Sequence, residues 1–229
     1  MKILGLIGGI SWVSTTDYYK LINQGINSKL GELNFSECII YSLNYQEIKN
    51  NNDRNDWDAT FQTILHACKQ LRNSGASAIL LCANTMHHIV DRLEQALDIP
   101  IIHIADATAL EIEKAGLKKV GLLGTKFTME LDFFKSRLLK KGIETIIPDG
   151  EDRVFLHQNI FEELGRGIFK EESKKRYLKI IDKLLANGAE GIILGCTEIP
   201  MLLPPNEVPA PAFDTTLIHA NAAINFQLS

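Results

Sequence analysis

SGASAILLCANT, at Ser74–Thr85, resembles NGAEGIILGCTE, at Asn187–Glu198, and the first glycines of the two stretches stand 113 residues apart. A second pair of similar stretches, GLIGG and GLLGT, begins at Gly5 and at Gly121, which stand 116 residues apart. Two offsets that differ by so few residues indicate one duplicated unit with a small change of length between its motifs. Each copy should therefore fold in the same way.

Short apolar runs alternate with amphipathic stretches around both motifs. KILGLIG, ECIIYSL and ASAILLC are separated by helical patterns, and the alternation restarts at Lys118 and includes a long helical region at about Asp152–Asn187. Such βαβ alternation is typical of parallel sheets with helices on both faces. We predict an α/β fold of two pseudo-symmetric, Rossmann-like domains, each with a mainly parallel sheet. The first comprises residues 1–104 plus a C-terminal helix at 213–229, and the second residues 105–207.

Composition argues for a small-molecule ligand. The 229 residues are 45% hydrophobic and 23% charged, with a formal net charge of −4. That charge offers no broad positive field for nucleic acid, and KEESKKR is the only notable basic segment. In folds of this class the ligand lies at the carboxyl ends of the strands. Two such ends facing each other would form one active site in an interdomain cleft.

The N-terminus and the cysteines indicate a cytoplasmic protein. MKILGLIGGISW has glycines within its apolar run and lacks a clear cleavage site, so we expect a first strand rather than a signal peptide, and no membrane association. The four cysteines, Cys38, Cys68, Cys82 and Cys196, form no CxxC pair. We therefore expect reduced thiols, with neither a disulfide framework nor a metal site.

The repeat separates the roles of the two motif cysteines. At the offset of 113, Cys196 corresponds to Ala83 and Cys82 corresponds to Gly195. Because side chains alternate along a strand, Cys82 should point away from the direction that Cys196 takes. Cys82 is then a buried structural thiol, unless the turn at Asn84 rotates it back. Thr197 and Glu198 follow Cys196 where a helix would start, and helix N-termini lower thiol pKa values.

The motifs together resemble the aspartate/glutamate racemase family, and in particular its L-aspartate/glutamate-type members. The matching stretches cover essentially the whole chain: GLIGGISWVST, NYQEIKNNNDRNDWD, CANTMH, HIADAT, GLLGTKFTME, IFEELGRGIF, GCTEI and FDTTLIHA. The resemblance implies a cofactor-independent amino-acid racemase, usually a homodimer, with an acidic amino acid as substrate. In the family's two-cysteine pattern, one cysteine precedes the Asn-Thr of the first motif and the other lies in GCTE. Here Ala83 holds the first position.

This departure matters for the chemistry. Racemisation without pyridoxal needs one group that removes the α-proton and another that returns a proton to the opposite face. Cys196 can act as the first group, whereas Ala83 marks the place of an absent second thiol. A water, a hydroxyl or an imidazole could substitute, with His87 the nearest in sequence. The alternative for His87 and His88 is a pair of helix residues, one partly buried and one solvated.

Substrate-binding positions follow from the charge of an amino acid. Backbone N–H groups and hydroxyls at helix starts can hold the α-carboxylate. The residues that match the family at such points are Asn84, Thr85, Thr125 and Thr197, with Gly8, Gly9 and Ile10 shaping the first turn. A distal carboxylate favours a guanidinium. Arg54, in a polar loop that could act as a lid with Asn52, and Arg166 are the candidates, although either could be a solvated surface arginine.

Asp214 and His219 stand where a helix cap and a supporting group are expected, because Asp-Thr-Thr precedes an apolar helical run. Two other functions remain open. Ala83 is compatible with a one-cysteine decarboxylase or isomerase of a small dicarboxylate, which needs protonation from one face only. A non-catalytic protein that binds an acidic amino acid is the third reading.

Overall fold

The computed structural model describes all residues, Met1–Ser229, and contains two four-stranded parallel sheets. The strands are β1 (Leu4–Gly8), β2 (Cys38–Ser42), β3 (Ala78–Leu81), β4 (Ile101–Ile102), β5 (Lys119–Gly124), β6 (Glu144–Ile146), β7 (Gly191–Gly195) and β8 (Ala212–Asp214). Their orders in the sheets are β2-β1-β3-β4 and β6-β5-β7-β8. The predicted α/β class with two equivalent parallel sheets is confirmed.

Eleven α-helices flank the sheets. They are α1 (Trp12–Leu30), α2 (Tyr45–Asp53), α3 (Trp57–Asn73), α4 (Val90–Ala96), α5 (Ile104–Lys114), α6 (Lys126–Glu130), α7 (Asp132–Leu139), α8 (Gly150–Glu162), α9 (Glu171–Ala186), α10 (Ile199–Leu202) and α11 (Thr215–Leu228). Short 3₁₀ turns lie at Asn84–Ile89, Leu164–Arg166 and Pro205–Glu207. None of the helices is both long and apolar enough to span a lipid bilayer.

The chain divides into two compact units. Residues Met1–His103 and His219–Ser229 form unit one, and residues Ile104–Ile218 form unit two. The internal register repeats between them, since Leu4 lies opposite Ala78 in unit one and Val120 lies opposite Gly191 in unit two. These are the residues that the offsets of 116 and 113 equate, so the duplication seen in the sequence extends to the hydrogen-bonded ladder.

Each sheet has two different apolar faces. In unit one, Ile79 and Leu81 pack with residues of α3 and α4, whereas Leu80 packs with α1 and α11. In unit two, Leu194 packs with α8, α9 and α10, and Ile193 packs with α5 and α7. Continuous apolar runs such as AILL are thus explained by burial on both faces, as is usual for parallel strands.

The polar segment after β2 is not the long loop that the sequence suggested. Tyr45–Asp53 forms α2, which starts where the side chain of Asn44 accepts a hydrogen bond from the N–H of Gln46. Only a short turn follows, with Asn55 at a φ of 57°, before the Asp56 side chain caps α3. Asparagine and aspartate caps at both boundaries favour helices over an open lid.

Two further boundaries differ from the sequence prediction. The helical region predicted at about Asp152–Asn187 is interrupted after Glu162 by a 3₁₀ turn and by Gly167, whose φ of 73° suits glycine. The C-terminal tail begins as strand β8, which pairs with β7, and becomes helical only at Thr215. Asp214 accepts hydrogen bonds from the N–H groups of Thr216 and Leu217, which confirms its predicted capping role.

Candidate active site

Cys196 lies directly after β7, at the carboxyl edge of the sheet of unit two. Its thiol donates a hydrogen bond to Oε2 of Glu198 at 2.9 Å, and the hydroxyl of Thr197 donates to the same oxygen at 2.6 Å. All three side chains are half-buried. The N–H of Ile199 donates to the carbonyl of Cys196, and this turn brings the carboxylate of Glu198 back towards the thiol.

The surroundings of Cys196 favour the protonated thiol. Burial raises its pKa well above the usual value, and the negative charge of Glu198 and the hydrogen bond to that carboxylate raise the pKa further. The expected lowering of this pKa by a helix N-terminus is wrong in direction, because burial and then Glu198 raise the pKa by more than the backbone N–H groups lower it, and α10 has only four residues. Cys196 is therefore a protonated thiol that donates a hydrogen bond to a neighbouring carboxylate.

Glu198 was not among the residues that the sequence selected. The sequence indicates only a helix start at this position, whereas the carboxylate accepts the hydrogen bond of the Cys196 thiol. A carboxylate two residues after a candidate acid/base cysteine is the signal that could have identified it.

Thr125 belongs to the same edge of the sheet as Cys196. Gly124 lies opposite Gly195 in the ladder, so Thr125 and Cys196 follow directly after paired residues. The Thr125 hydroxyl accepts a hydrogen bond from the N–H of Thr128 and caps α6. The structure therefore brings together three of the predicted residues, Cys196, Thr197 and Thr125.

Arg166 lies in the 3₁₀ turn Leu164–Arg166, which packs against α10, the helix that follows Glu198. The residue is exposed, and its backbone N–H donates to the carbonyl of Glu163. The arginine is thus attached to a segment adjacent to the Cys196 turn. Its side chain projects from the surface of unit two.

The predicted first turn of unit one has the geometry that its glycines require. The N–H of Gly9 donates to the hydroxyl of Thr15 at 2.9 Å. Gly9 has a φ of 83°, and a Cβ at this position would lie 2.1 Å from the carbonyl oxygen of Leu43, so only glycine fits. Ile10, which is 9% exposed, packs into the core beneath the turn.

Cys82 and Ala83 point to opposite faces of the sheet of unit one. Cys82 is 1% exposed and packs with Leu80 and the residues of α1 and α11, and burial raises its pKa further above the ordinary thiol range. Ala83 is half-buried and packs on the α3 side. Cys196 packs on the equivalent face of unit two, against the cluster that contains α9. The predicted burial of Cys82 is confirmed, and so is the correspondence of Ala83 with Cys196.

If the Cys196 site is catalytic, removing the Cys82 thiol should leave its rate nearly unchanged, because this side chain lies inside the core. We expect Cys82→Ala to keep most of the activity and to lower the free energy of unfolding by about 1 kcal/mol, through loss of a small buried group. Initial rates and urea unfolding measure the two effects. Cys68→Ala, which trims another fully buried thiol of unit one, is the matched control. A folded Cys82→Ala variant that had lost inversion would show that the thiol reaches the substrate.

His87 supports the turn that carries Ala83 and Asn84. Its Nδ1 lies 3.1 Å from the carbonyl oxygens of both residues, so Nδ1 carries the proton that it donates to them. The ring is 1% exposed, with the rings of His103 and His219 at centroid distances of 4.8 and 5.3 Å. His87 is thus a core residue that holds the turn, and direct proton transfer to a ligand would require its ring to rotate outward.

Asn84 and Thr85, the other predicted residues here, are half-buried and open the 3₁₀ turn that follows Ala83. His88 is half-buried too, and its ring packs on that of Trp57 at 4.5 Å. These positions follow β3 directly. They occupy the edge at which the N–H of Cys82 donates to the carbonyl of Ile7 in the neighbouring strand.

His219 is a supporting residue, as the sequence predicted. Its Nδ1 accepts a hydrogen bond from the hydroxyl of Tyr18 at 2.9 Å, and its Nε2–H donates to the carbonyl of Ile102 at 2.7 Å. Burial lowers its pKa to about 4, which keeps the ring neutral. The neutral ring ties α11 to α1 and to β4.

Arg54 and Asn52 lie at the end of α2. The guanidinium of Arg54 is exposed and donates to the side chain of Asn51 at 2.8 Å, while the Asn52 side-chain oxygen accepts from the hydroxyl of Thr60 in α3. The chain enters α2 from the carboxyl end of β2, where the N–H of Leu43 donates to the carbonyl of Gly8. Asn52, in the last turn of α2, and Arg54, directly after it, therefore belong to a segment that starts at the same sheet edge as Gly9.

Comparison with known proteins gives a consistent result. The family model of Asp/Glu/hydantoin racemases matches residues 7–223. A solved structure from Yersinia pestis, provisionally assigned as an Asp/Glu racemase, is 46% identical, covers 100% of both chains and has a TM-score of 0.95. An aspartate racemase homologue from Pyrococcus horikoshii OT3 is 36% identical over 100% of both chains, with a TM-score of 0.88. These matches support an isomerase activity.

A broad-specificity amino-acid racemase of Bacillus subtilis strain 168 is 22% identical over 99% of both chains. The similarity therefore extends over both units and is not confined to one motif. Because the family model spans nearly the whole sequence and the solved relatives align over their full lengths, the chain belongs to the Asp/Glu/hydantoin racemase family.

Proposed function

We propose that this protein racemises an acidic amino acid, aspartate or glutamate, without pyridoxal. The observation that carries the proposal is the hydrogen bond from the Cys196 thiol to the Glu198 carboxylate at the carboxyl edge of a parallel sheet. A thiol in contact with a carboxylate can exchange its proton and then act as a base. Family membership supports the reaction class, while the choice of substrate is part of the proposal.

The reaction requires two proton transfers. Glu198 takes the proton of the Cys196 thiol, and the resulting thiolate takes the α-proton of the substrate, which leaves a carbanion stabilised by its carboxylate. A proton must then reach the opposite face of Cα, a role that the family resemblance gives to the position of Ala83. Because a methyl group cannot donate a proton, we propose that water supplies it there, and that inversion is slower than proton removal.

The hydroxyls beside Cys196 are suited to the developing charge. Thr197 and Thr125 lie at the same sheet edge. The Thr125 hydroxyl can donate to the α-carboxylate as negative charge moves onto it, and the Thr197 hydroxyl can do so once it leaves Glu198. Asn84 and Thr85 are assigned the corresponding role in unit one. Arg54 and Arg166 remain the candidates for the distal carboxylate, because both guanidinium groups are exposed.

Loss of the arginine that binds the distal carboxylate should weaken substrate binding more than turnover. We expect either Arg54→Ala or Arg166→Ala to raise KM for the acidic substrate about 10- to 100-fold, as for the loss of a hydrogen bond to a charged group, with a smaller change in kcat. Arg72→Ala is the control, since this exposed arginine pairs with Asp98 at the opposite end of α3. An unchanged KM in both test variants would reject the assignment.

The substrate can be identified by incubating the protein with the L- and D-forms of aspartate and glutamate in D₂O. Loss of the α-proton signal in NMR spectra measures exchange, and chiral chromatography of the same samples measures inversion. We expect exchange with at least one of the four substrates. A lack of exchange with all four, from a protein that binds one of them in calorimetry, would instead support the non-catalytic binding protein.

Ala83 favours one second candidate, a one-cysteine decarboxylase of a substituted malonate. After carbon dioxide leaves, such a reaction needs a proton from one face only, and Cys196 alone could deliver it. Release of carbon dioxide from a methyl- or phenyl-substituted malonate, without exchange of amino-acid α-protons, would favour this function over racemisation.

A further inference from the structure

Tyr177 in α9 has a buried hydroxyl that no mechanism has yet used. The side chain is 0% exposed, and its oxygen has no hydrogen-bond partner in the protein. Buried tyrosine hydroxyls usually find a partner, because leaving one unpaired costs about 1–3 kcal/mol. A buried hydroxyl without a hydrogen-bond partner therefore needs a physical explanation.

The position of Tyr177 relates it to the Cys196 turn. Tyr177 belongs to the apolar cluster that contains Leu194, and Cys196 packs against this cluster from two positions further along the same strand face. Its ring contacts that of Phe155 at a centroid distance of 6.0 Å. Tyr177 thus lies on the side of the sheet towards which the Cys196 side chain points.

The charges that act on the hydroxyl come from three groups. Burial raises the pKa of Tyr177 well above its usual value, and the negative charges of an ionised Cys196, of Glu198 and of Glu163 raise it further, in that order. Glu163, at the end of α8, is already neutralised by Lys170 and accepts a hydrogen bond from Ser173, one turn before Tyr177. The Tyr177 hydroxyl consequently stays protonated, as a donor on the side of the sheet against which Cys196 packs.

We propose that the Tyr177 hydroxyl donates a hydrogen bond to the negative charge shared by Cys196 and Glu198 once the thiol has lost its proton. In the protonated state the sulfur is itself the donor, and Glu198 already accepts from Cys196 and Thr197 through one oxygen. When the thiolate forms, the sulfur of Cys196 no longer donates a hydrogen bond and becomes an acceptor. Tyr177 is thus a positioning residue that acts through Cys196. Of the measurements below, only the one of enzymatic activity rests on the proposed function.

Tyr177→Phe tests this role, because it keeps the ring and removes only the hydroxyl. The pH dependence of iodoacetamide alkylation, followed by mass spectrometry of the Cys196 peptide, reports the thiolate directly. We expect the curve to move up by about one pH unit, so that the rate at a fixed pH on the rising limb falls about tenfold. The variant should be at least as stable as the wild type in urea, since an unpaired buried group has been removed.

Tyr18→Phe is the matched control. Tyr18 is the other fully buried tyrosine, and its hydroxyl is bound to His219 in unit one. We expect this variant to lose stability without a shift in the alkylation curve of Cys196. An unshifted curve in Tyr177→Phe, or a loss of stability like that of Tyr18→Phe, would overturn the proposal.

Activity then separates this proposal from the proposed function. If the wild type exchanges α-protons, Tyr177→Phe should lower kcat about tenfold and leave KM unchanged. If the wild type exchanges none, the racemase assignment fails, while the alkylation curve still decides the role of Tyr177.

Discussion

Replacing Cys196 by alanine should abolish exchange of the substrate α-proton with solvent. The thiol is the group that Glu198 can deprotonate, and alanine leaves the carboxylate without an acid/base partner. General acid/base assistance is typically worth about 10²–10⁴-fold, so the residual rate should lie at least that far below the wild type. Disappearance of the α-proton signal in D₂O, under identical substrate and enzyme concentrations, is the measurement.

The fold should survive this change. Cys196 is half-buried and its side chain is small, so we expect a loss of about 1 kcal/mol or less in the free energy of unfolding. Cys68→Ala, which removes a fully buried thiol of unit one, should lose stability but keep α-proton exchange. Exchange at the wild-type rate in a folded Cys196→Ala variant would remove Cys196 from the mechanism.

Ala83→Cys should accelerate racemisation. The new thiol would stand on the sheet face equivalent to that of Cys196, directly before Asn84, where the family's two-cysteine pattern has its second acid. We expect inversion to rise by about 10²–10⁴-fold, with the rates from the L- and D-enantiomers becoming more nearly equal. Rates in both directions can be followed by chiral chromatography.

Ala83→Ser is the matched control, since serine has nearly the size of cysteine but a hydroxyl that is a far weaker acid. It should raise inversion much less than Ala83→Cys, and thermal unfolding of both variants checks that the half-buried position accepts the larger side chain. Equal inversion rates in wild type and Ala83→Cys, with intact folding, would show that this position does not donate to the substrate.

The repeat carried much of the correct prediction. Because the motifs at Ser74–Thr85 and Asn187–Glu198 lie on strands of the same register, the alternation of side chains placed Cys82 in the core and matched Ala83 to Cys196. This inference needs only the period of a strand and a ladder that is the same in both copies. The inference does not depend on how the helices pack against the sheets.

Features that depend on short-range hydrogen bonds could not be predicted in the same way. The segment Tyr45–Asp53 is polar with little apolar periodicity, and its helix depends on the cap at Asn44 and on the burial of Ile48. The pKa of Cys196 depends on the turn that returns Glu198 to the thiol. The separation of two residues in the sequence does not show whether the side chain of Glu198 turns towards the thiol of Cys196 or away from it.

The interruption between α8 and α9 has a similar cause. Glu163 collects hydrogen bonds from Lys170, Ser173 and Asn159, and these contacts stabilise the turn that contains Gly167. Charged residues in a helical pattern are compatible with a continuous helix as well. Only the three-dimensional contacts distinguish the two arrangements.

The central claim is that one thiol, Cys196, performs the acid/base chemistry while the opposite face relies on a weaker donor. The most direct test is the ratio of α-deuterium incorporation to inversion for wild-type protein with its preferred substrate in D₂O, measured in the same samples by NMR and chiral chromatography. The account predicts that deuterium enters one enantiomer well before the other enantiomer accumulates, and that the ratio falls towards one in Ala83→Cys. Equal rates of deuterium incorporation and inversion, measured with wild-type protein from both enantiomers of the substrate, would contradict it.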